Sequence, residues 1–259
     1  MVAPKVAHRI STMTSVERVG TGIPGLDALI EGGLPKNSVV LITGAPGTGK
    51  SLLCTQILAN GCKHGENTLY VSLEQIQKDI IAQSKPFGWD IEKHVSEGRL
   101  NILEIGLLSD IDVLGQIEQT VKEKKITRIV IDSLTALQNY PTLIRNIKVM
   151  QQVRSFEVEM QLNLFSPETR MRLLIHHPIR FLKSLENTTS LLISDVDANS
   201  NNLSKDGISE FLCDGVILLS ALSIADTLNR TIEIKKMRYT KMQGGIRSCE
   251  ITDTGITVE

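Results

Sequence analysis

The chain has 259 residues, a length that suits one sizeable α/β domain or two small ones. Its 28 basic and 29 acidic side chains nearly balance, so net charge favours neither nucleic acid nor membrane as a partner. Only 3% of the residues are aromatic, which argues against an array of base-stacking side chains.

Other classes are disfavoured by the cysteines and by the lack of long apolar runs. The four cysteines have no close C-x-x-C pairing and are interpreted as reduced thiols: Cys54, Cys62, Cys213 and Cys249. No apolar run reaches the ~18 residues of a membrane span, and the N-terminus lacks the apolar core of a signal peptide. We therefore expect a cytoplasmic protein.

Apolar runs alternate with segments of helical period along most of the chain. The predicted strands are VVLIT (39–43), NTLYVSL (67–73), LNILEI (100–105), TRIVID (127–132) and TSLLIS (189–194). Helices are predicted from Lys50 to about Asn60, over 76–88 with a stop near Pro86 and Gly88, and over 110–125. Strands separated by helices of this length predict an α/β fold, with a mostly parallel central sheet flanked by helices on both faces.

The C-terminal part differs, because strand patterns follow one another there without helices between them. GVILLS (215–220), RTIEIKKMR (230–238) and the last dozen residues predict an antiparallel extension of the same sheet. No internal repeat or low-complexity segment occurs. We expect a single domain over residues 1–259, with a helical insertion at about 140–183.

The segment GAPGTGKS (44–51) fits the Walker A pattern G-x-x-x-x-G-K-[ST], and it lies between a β-branched strand and a helix. That context distinguishes a phosphate-binding P-loop from an ordinary glycine-rich turn. Backbone amides and the helix N-terminus are expected to surround the phosphates. Lys50 is expected to neutralise the negative charge of the phosphates, and the Ser51 hydroxyl is expected to bind Mg²⁺. The predicted nucleotide-binding residues are Gly44, Ala45, Pro46, Gly47, Thr48, Gly49, Lys50, Ser51 and Leu52.

An acid at the tip of a neighbouring strand completes a Mg²⁺-nucleotide site. Asp132 ends the run IVID, so its carboxylate is expected where the strand leaves the sheet. We predict that Asp132 holds the metal through water. The alternative is a capping aspartate in front of Ser133-Leu134-Thr135.

Hydrolysis also requires a group that orients or deprotonates the attacking water. Ser133, directly after the strand aspartate, offers no carboxylate. Glu74 ends the strand that follows the P-loop helix, and a parallel sheet brings that end to the same edge as the loop. Glu74 is therefore the predicted catalytic base, with an exposed helix-capping glutamate as the alternative.

Several segments together resemble the KaiC-like branch of the RecA superfamily. They are RVGTGIPGLDALIEGGLPKNSVVLITGAPGTGKS, VSLEQ with FGWD, IVIDSLTAL, GISEFLCDGVILL, KKMRYT and ITDTGI. The resemblance covers about residues 16–135 and 188–259 and implies an ATP-binding, RecA-type P-loop fold, often assembled as a hexameric ring with nucleotide between subunits. Relatives usually carry two adjacent glutamates where this chain has Glu74 and Gln75, which bears on the rate of hydrolysis.

The same resemblance implies roles for a K-x-R pair on a late strand. Lys236 and Arg238 match the pair that reaches the γ-phosphate held by the neighbouring subunit. The alternative is a set of outward cations that protects an edge strand from aggregation. Glu210 and Phe211 occupy the positions at which clock relatives phosphorylate themselves, and they offer no hydroxyl.

The resemblance weakens in the predicted insertion at 140–183, which has seven basic residues against three acidic ones. Such an insertion could bind nucleic acid through phosphates, although solvated surface helices explain it as well. The basic residues are Arg145, Lys148, Arg154, Arg170, Arg172, Arg180 and Lys183.

The sequence therefore predicts a slow Mg²⁺-dependent ATPase that drives or signals conformational change in a homo-oligomer, expected to be a hexamer. Two alternatives stay open: a recombinase-like nucleic-acid-binding protein, and an ATP-binding switch with negligible hydrolysis. A GTPase is disfavoured because no N-K-x-D guanine-reading motif occurs.

Overall fold

A mixed sheet organises the part of the chain that the computed structural model describes, namely residues 16–106, 112–137, 166–196, 202–224 and 227–259. In those residues the strands are β1 (Arg18–Val19), β2 (Leu34–Pro35), β3 (Val39–Gly44), β4 (Thr68–Ser72), β5 (Leu100–Glu104), β6 (Arg128–Asp132), β7 (Thr189–Asp195), β8 (Gly215–Ile224), β9 (Thr227–Met237), β10 (Ile246–Thr252) and β11 (Gly255–Val258). The helices are α1 (Leu26–Leu29), α2 (Lys50–Lys63), α3 (Gln77–Ser84), α4 (Ile91–Ser96), α5 (Val113–Lys124), α6 (Leu134–Leu137), α7 (Pro167–Ser184) and α8 (Ser209–Leu212).

Within the described ranges, nine strands form the sheet in the order β11-β10-β9-β8-β3-β7-β6-β4-β5, and β1 and β2 form a small separate pair. The strands from β8 across to β5 are parallel, whereas β9, β10 and β11 continue the sheet in antiparallel fashion. This arrangement confirms the predicted parallel core with an antiparallel C-terminal extension.

The register aligns the carboxyl ends of the central strands at one edge of the sheet. Gly44, the last residue of β3, pairs with Asp195 of β7, and Ser72 of β4 pairs with Asp132 of β6. The loop after β3 and the acids that end β6 and β7 therefore meet at one edge, where ligands bind in parallel α/β sheets.

Helices cover both faces of the sheet, because side chains in β3 alternate between two buried clusters. Val40 and Ile42 pack on the face covered by α2, whereas Val39 and Leu41 pack on the face covered by α5 and α7. All four side chains are almost fully buried. A run that is apolar at every position is typical of a strand buried on both faces.

The helix after β4 and the two strands β8 and β9 differ in length from the predicted elements. The predicted helix over 76–88 ends at Ser84 and continues as a 3-10 turn over Lys85–Phe87, since Pro86 has no amide hydrogen to donate. Strands β8 and β9 are longer than predicted because they pair with each other in a hairpin that continues beyond β3. Leu222 and Leu228 lie near the tip of this hairpin and are exposed, so the pattern of buried apolar residues did not indicate the extension.

Much of the predicted insertion, together with its basic residues Arg145, Lys148 and Arg154, lies outside the described residues. Its C-terminal part is α7, which begins after Ser166, whose hydroxyl accepts a hydrogen bond from the Thr169 amide. In the described ranges, no helix is both long enough and apolar enough to cross a membrane.

Candidate nucleotide-binding site

The predicted P-loop connects β3 to α2 at the carboxyl edge of the sheet. A side chain at Gly44 would place its Cβ 2.2 Å from the carbonyl oxygen of Leu219, so only glycine lets the loop leave the sheet so close to β8. Gly49 occupies the N-cap position of α2 with φ 104°, a left-handed conformation that L side chains rarely adopt. Because glycine has no capping side chain, the first amides of α2 stay available to an anion.

Lys50 lies over this loop with a largely buried side chain. Its Nζ donates to the carbonyl oxygens of Gly44 and Ala45 at 2.9 and 3.0 Å. It also forms an ion pair with Asp195 Oδ1 at 2.9 Å. A buried ammonium needs such partners, because removing a charge from water is costly. The cation is thus held beside the loop where a phosphate would bind.

Ser51 and Asp132 form a hydroxyl–carboxylate pair beside the loop. Ser51 Oγ donates to Asp132 Oδ2 at 2.8 Å, and the Tyr70 hydroxyl donates to the same oxygen at 2.5 Å. Burial and the neighbouring Asp132 raise the pKa of Tyr70 well above its ordinary range, so its hydroxyl keeps the proton that it donates.

The Ser51 hydroxyl and the Asp132 carboxylate fit Mg²⁺, which usually takes only one or two protein ligands and keeps waters and phosphate oxygens as the rest of its shell. The described residues contain no group of three or more His, Cys, Asp or Glu side chains suited to a metal ion. A site made of Ser51, Asp132 and a bound nucleotide requires no such cluster.

Glu74 lies at the same edge and is exposed. Its Oε1 accepts a hydrogen bond of 2.9 Å from Ser133 Oγ, and the Leu73 amide donates to the Asp132 carbonyl oxygen at 2.8 Å. These contacts tie the ends of β4 and β6 together, so the structure brings Glu74 beside the predicted metal-binding aspartate. Gln75 makes main-chain hydrogen bonds with Ser72 Oγ.

Lys236 and Arg238 lie away from the loop of their own chain. Lys236 Nζ donates to the carbonyl oxygens of Glu210, Phe211 and Cys213 at 3.0, 3.2 and 2.6 Å. All three ammonium hydrogens are thereby used around the C-terminal end of α8. Burial and the charge of Arg238 lower the pKa of Lys236.

Arg238 is held by Asp214, which also contacts the first residue of β3. The Arg238 guanidinium is half-exposed and donates to Asp214 Oδ1 at 3.0 Å, while the Val39 amide donates to Asp214 Oδ2 at 3.1 Å. Arg238 is therefore level with the start of β3, whereas the P-loop follows its end. Since β3 has six residues and a strand rises about 3.3 Å per residue, roughly 17 Å of strand separates the two levels.

Three residues of this region have contacts that the sequence pattern did not indicate: Tyr70, Asp195 and Asp214. Asp195 ends a parallel strand as Asp132 does, and that shared position was a usable signal. In the sequence, Tyr70 resembles an ordinary core residue, because the strand TLYVS is buried throughout and only the hydroxyl of Tyr70 indicates another role. Asp214 precedes β8 with no pattern around it that indicates its partners.

The sheet order, the glycine loop and the strand-end acid define a P-loop protein of the RecA type. A profile of the family described as "ATPase: KaiC" matches residues 19–168 and 158–259. The chain therefore belongs to the KaiC ATPase family, which confirms the resemblance seen in the sequence.

Individual relatives agree with this assignment. A UPF0273 protein of Thermotoga maritima is 31% identical, over 94% of this chain and 96% of its own length. The circadian clock oscillator protein KaiC of Prochlorococcus marinus subsp. pastoris is 30% identical over 96% of this chain, which covers 46% of that protein. The crystal structure of a KaiC-like protein from Pyrococcus horikoshii OT3 superposes with a TM-score of 0.69 at 33% identity, covering 94% of this chain and 99% of that one.

Proposed function

We propose that this single-domain chain binds Mg·ATP at the P-loop and hydrolyses it slowly, within a cytoplasmic homo-oligomeric ring. The observation that carries the proposal is the grouping of Lys50, Ser51 and Asp132 around the glycine loop at one edge of the sheet. Lys50 would neutralise phosphate charge, while Ser51 and Asp132 would hold Mg²⁺ directly and through water. The bound ion supplies charge neutralisation at the phosphates and orients them.

Glu74 is the proposed base, because it is an exposed carboxylate at the same edge, oriented by Ser133. A general base must lie within hydrogen-bond reach of the water that it activates. Gln75 cannot accept a proton as a second carboxylate would, so we expect slow turnover. The same observation favours the second candidate function, a switch that binds ATP with negligible hydrolysis.

Lys236 and Arg238 are proposed to act on the nucleotide of a neighbouring subunit. Their distance from the P-loop of their own chain supports a role in trans, since neither can serve the site of its own subunit. Cations supplied from a neighbour stabilise the charge that develops on a transferring phosphoryl group. Arg238 is the more accessible of the two, whereas Lys236 would have to leave the carbonyl groups of α8.

The proposal is tested by replacing Lys50 and measuring both nucleotide binding and phosphate release. Lys50→Ala removes the buried cation beside the loop, so we expect Mg·ATP affinity to fall by at least about tenfold and turnover to be lost. Lys122→Ala is the matched control, because Lys122 is an exposed lysine paired with Glu118 on α5. Equal phosphate release by wild type and Lys50→Ala would contradict the proposed ATPase.

The same assays separate the two candidate functions. An ATPase loses turnover in Glu74→Gln while it keeps Mg·ATP binding, because the amide is a much weaker base. A wild-type protein that binds Mg·ATP tightly but releases no phosphate, with or without its oligomer, would establish the switch instead. Salt-dependent binding of single-stranded nucleic acid tests the alternative based on the basic insertion.

A further inference from the structure

Tyr70 is a fully buried side chain whose hydroxyl reaches the predicted metal site. It lies in β4, directly opposite Val130 of β6 and two residues below the pair formed by Ser72 and Asp132. The ring is 1% exposed and belongs to the cluster on the α2 face of the sheet. Because the core fixes the ring, the position of the hydroxyl is fixed too.

In the described part of the chain, two side chains donate hydrogen bonds to the Asp132 carboxylate, and both donate to Oδ2. One comes from Tyr70 and the other from Ser51, at 2.5 and 2.8 Å. The Ser51 hydroxyl is the proposed Mg²⁺ ligand, so its bond to Asp132 changes when a metal binds. The Tyr70 hydroxyl is not a proposed metal ligand, although it also interacts with Ser51, so its bond can hold the Asp132 carboxylate with and without a metal.

We propose that Tyr70 is a positioning residue for Mg²⁺: its hydroxyl fixes Oδ2 of Asp132 and leaves Oδ1 to the water shell of the ion. This inference rests on the proposed metal site at Ser51 and Asp132. Groups that hydrogen-bond a metal-binding carboxylate set its orientation, and removing them typically weakens metal affinity by ~10-fold or more.

The test is Tyr70→Phe, which removes the hydroxyl and keeps the ring in the core. A fluorescent ATP analogue reports nucleotide binding while Mg²⁺ is titrated. We expect the Mg²⁺ concentration for half-maximal binding to rise at least about 10-fold, and binding in excess EDTA to stay unchanged. The matched control is Thr68→Val, which removes another buried hydroxyl of β4 at the far end of the strand, where it contacts Cys62 Sγ at 3.1 Å.

Asp132→Asn and the double variant separate the inference from the proposal on which it rests. If Asp132→Asn raises the Mg²⁺ midpoint and Tyr70→Phe does not, the role of Tyr70 is refuted while the metal site stands. If Asp132→Asn leaves the midpoint unchanged, the metal site itself is refuted. An equal loss of binding with and without Mg²⁺ in Tyr70→Phe would show a purely structural hydroxyl and overturn the inference.

The double variant gives the positive signature of the proposed arrangement. If Tyr70 acts through Asp132, then adding Tyr70→Phe to Asp132→Asn should change the Mg²⁺ midpoint by less than about twofold. If the two substitutions instead raise the Mg²⁺ midpoint independently, so that their fold-changes multiply, Tyr70 does not act through Asp132 and the inference is contradicted.

Discussion

Lys50 illustrates how one buried charge is kept in place without a phosphate. Two loop carbonyl oxygens and the carboxylate of Asp195 satisfy its ammonium, whose side chain is 7% exposed. A phosphate that binds to the loop must share this cation with Asp195, or displace the carboxylate. Asp195 is therefore a competitor of the nucleotide as well as a partner of Lys50.

Asp195→Asn should tighten nucleotide binding, because the amide removes the negative charge that competes for Lys50. The ion pair is partly exposed, with the aspartate 36% accessible, so we expect a gain of about 2- to 5-fold in affinity. Isothermal titration with a non-hydrolysable ATP analogue measures this effect. Glu97→Gln is the control, since it breaks only an exposed pair with Lys93 on α4. Weaker or unchanged binding in Asp195→Asn would refute competition.

Among the elements, β9 is the strand whose C-terminal end contacts both α8 and the residue before β8. Lys236, near its end, donates to carbonyl groups of α8, and Arg238, directly after the strand, pairs with Asp214. Asp214 also receives Lys183 of α7 at 2.7 Å and the amide of Val39. Arg238 can therefore leave Asp214 without isolating the carboxylate, whereas Lys236 cannot leave without exposing carbonyl groups.

Lys236 and Arg238 should respond differently to alanine substitution. Arg238→Ala should cost less than about 1 kcal/mol of unfolding free energy, because its ion pair is half-exposed. Lys236→Ala should cost about 1–3 kcal/mol, because carbonyl oxygens lose their donor. Both should lower ATP turnover at least about 100-fold if they act in trans. Urea titration and phosphate release measure the two effects, and the adjacent Lys235→Ala is the control, since its ammonium pairs with Glu233 instead.

Mixing subunits tests the trans role directly. Lys50→Ala subunits lack the P-loop cation and Arg238→Ala subunits lack the proposed trans cation, so each is expected to be inactive alone. Mixed oligomers contain some sites with both intact halves and should regain part of the activity. Absence of any recovery in a verified mixed oligomer would contradict the shared site.

The elements themselves could be largely predicted from the sequence, and the site only in part. β-branched runs such as Val39–Thr43 specify buried strands by composition, and the loop that follows them fits a local pattern. Glu74 and Asp132 could be placed because they lie at the carboxyl ends of strands whose direction was predicted. Tyr70 and Asp214 could not, because their roles depend on partners 62 and 175 residues away along the chain.

At the scale of the whole molecule, the four cysteines are buried thiols spread through the fold. Burial raises the pKa of Cys213 to about 12, and it raises the pKa of Cys54 well above the ordinary thiol range. The pKa values of Cys62 and Cys249 are also raised by burial. The folded chain therefore keeps its thiols neutral at pH values at which an unfolded chain ionises them.

This shift predicts that stability falls as pH rises above the thiol range. Below the unfolded-state pKa of about 8.5, the Cys213 thiol is neutral in both states and the folded state keeps its full stability. As pH rises from there to about 12, the unfolded chain ionises this thiol while the folded chain does not, so the free energy of unfolding falls. From pH 8 to pH 10.5, Cys213 alone should remove roughly 2 to 3 kcal/mol of unfolding free energy. Urea titrations of wild type and Cys213→Ala at both pH values measure the difference, since other titrating groups are common to the two. An identical pH slope would refute the contribution of Cys213.

The strand order was beyond prediction because it depends on long-range pairing. Strand β3 lies between β7 and β8, which follow it by more than a hundred residues. Local periodicity specifies whether a segment is a strand, but not which strand it will pair with. The alternation of strands and helices predicted a parallel α/β sheet, whereas the order of the strands in that sheet is known only from the structure.

The same central position of β3 has a consequence for protein synthesis. The P-loop strand and α2 leave the ribosome early, but β3 obtains both of its sheet neighbours only after β7 and β8 have been made. Gln56 of α2 then exchanges two hydrogen bonds with Ile256, 200 residues later in the chain. Until β7 and β8 have been made, the growing polypeptide presents an apolar strand with open edges, a state that favours binding by a chaperone. Synthesis of β7 and β8, rather than of the loop itself, is therefore the step that gives the strand before the P-loop both of its neighbours.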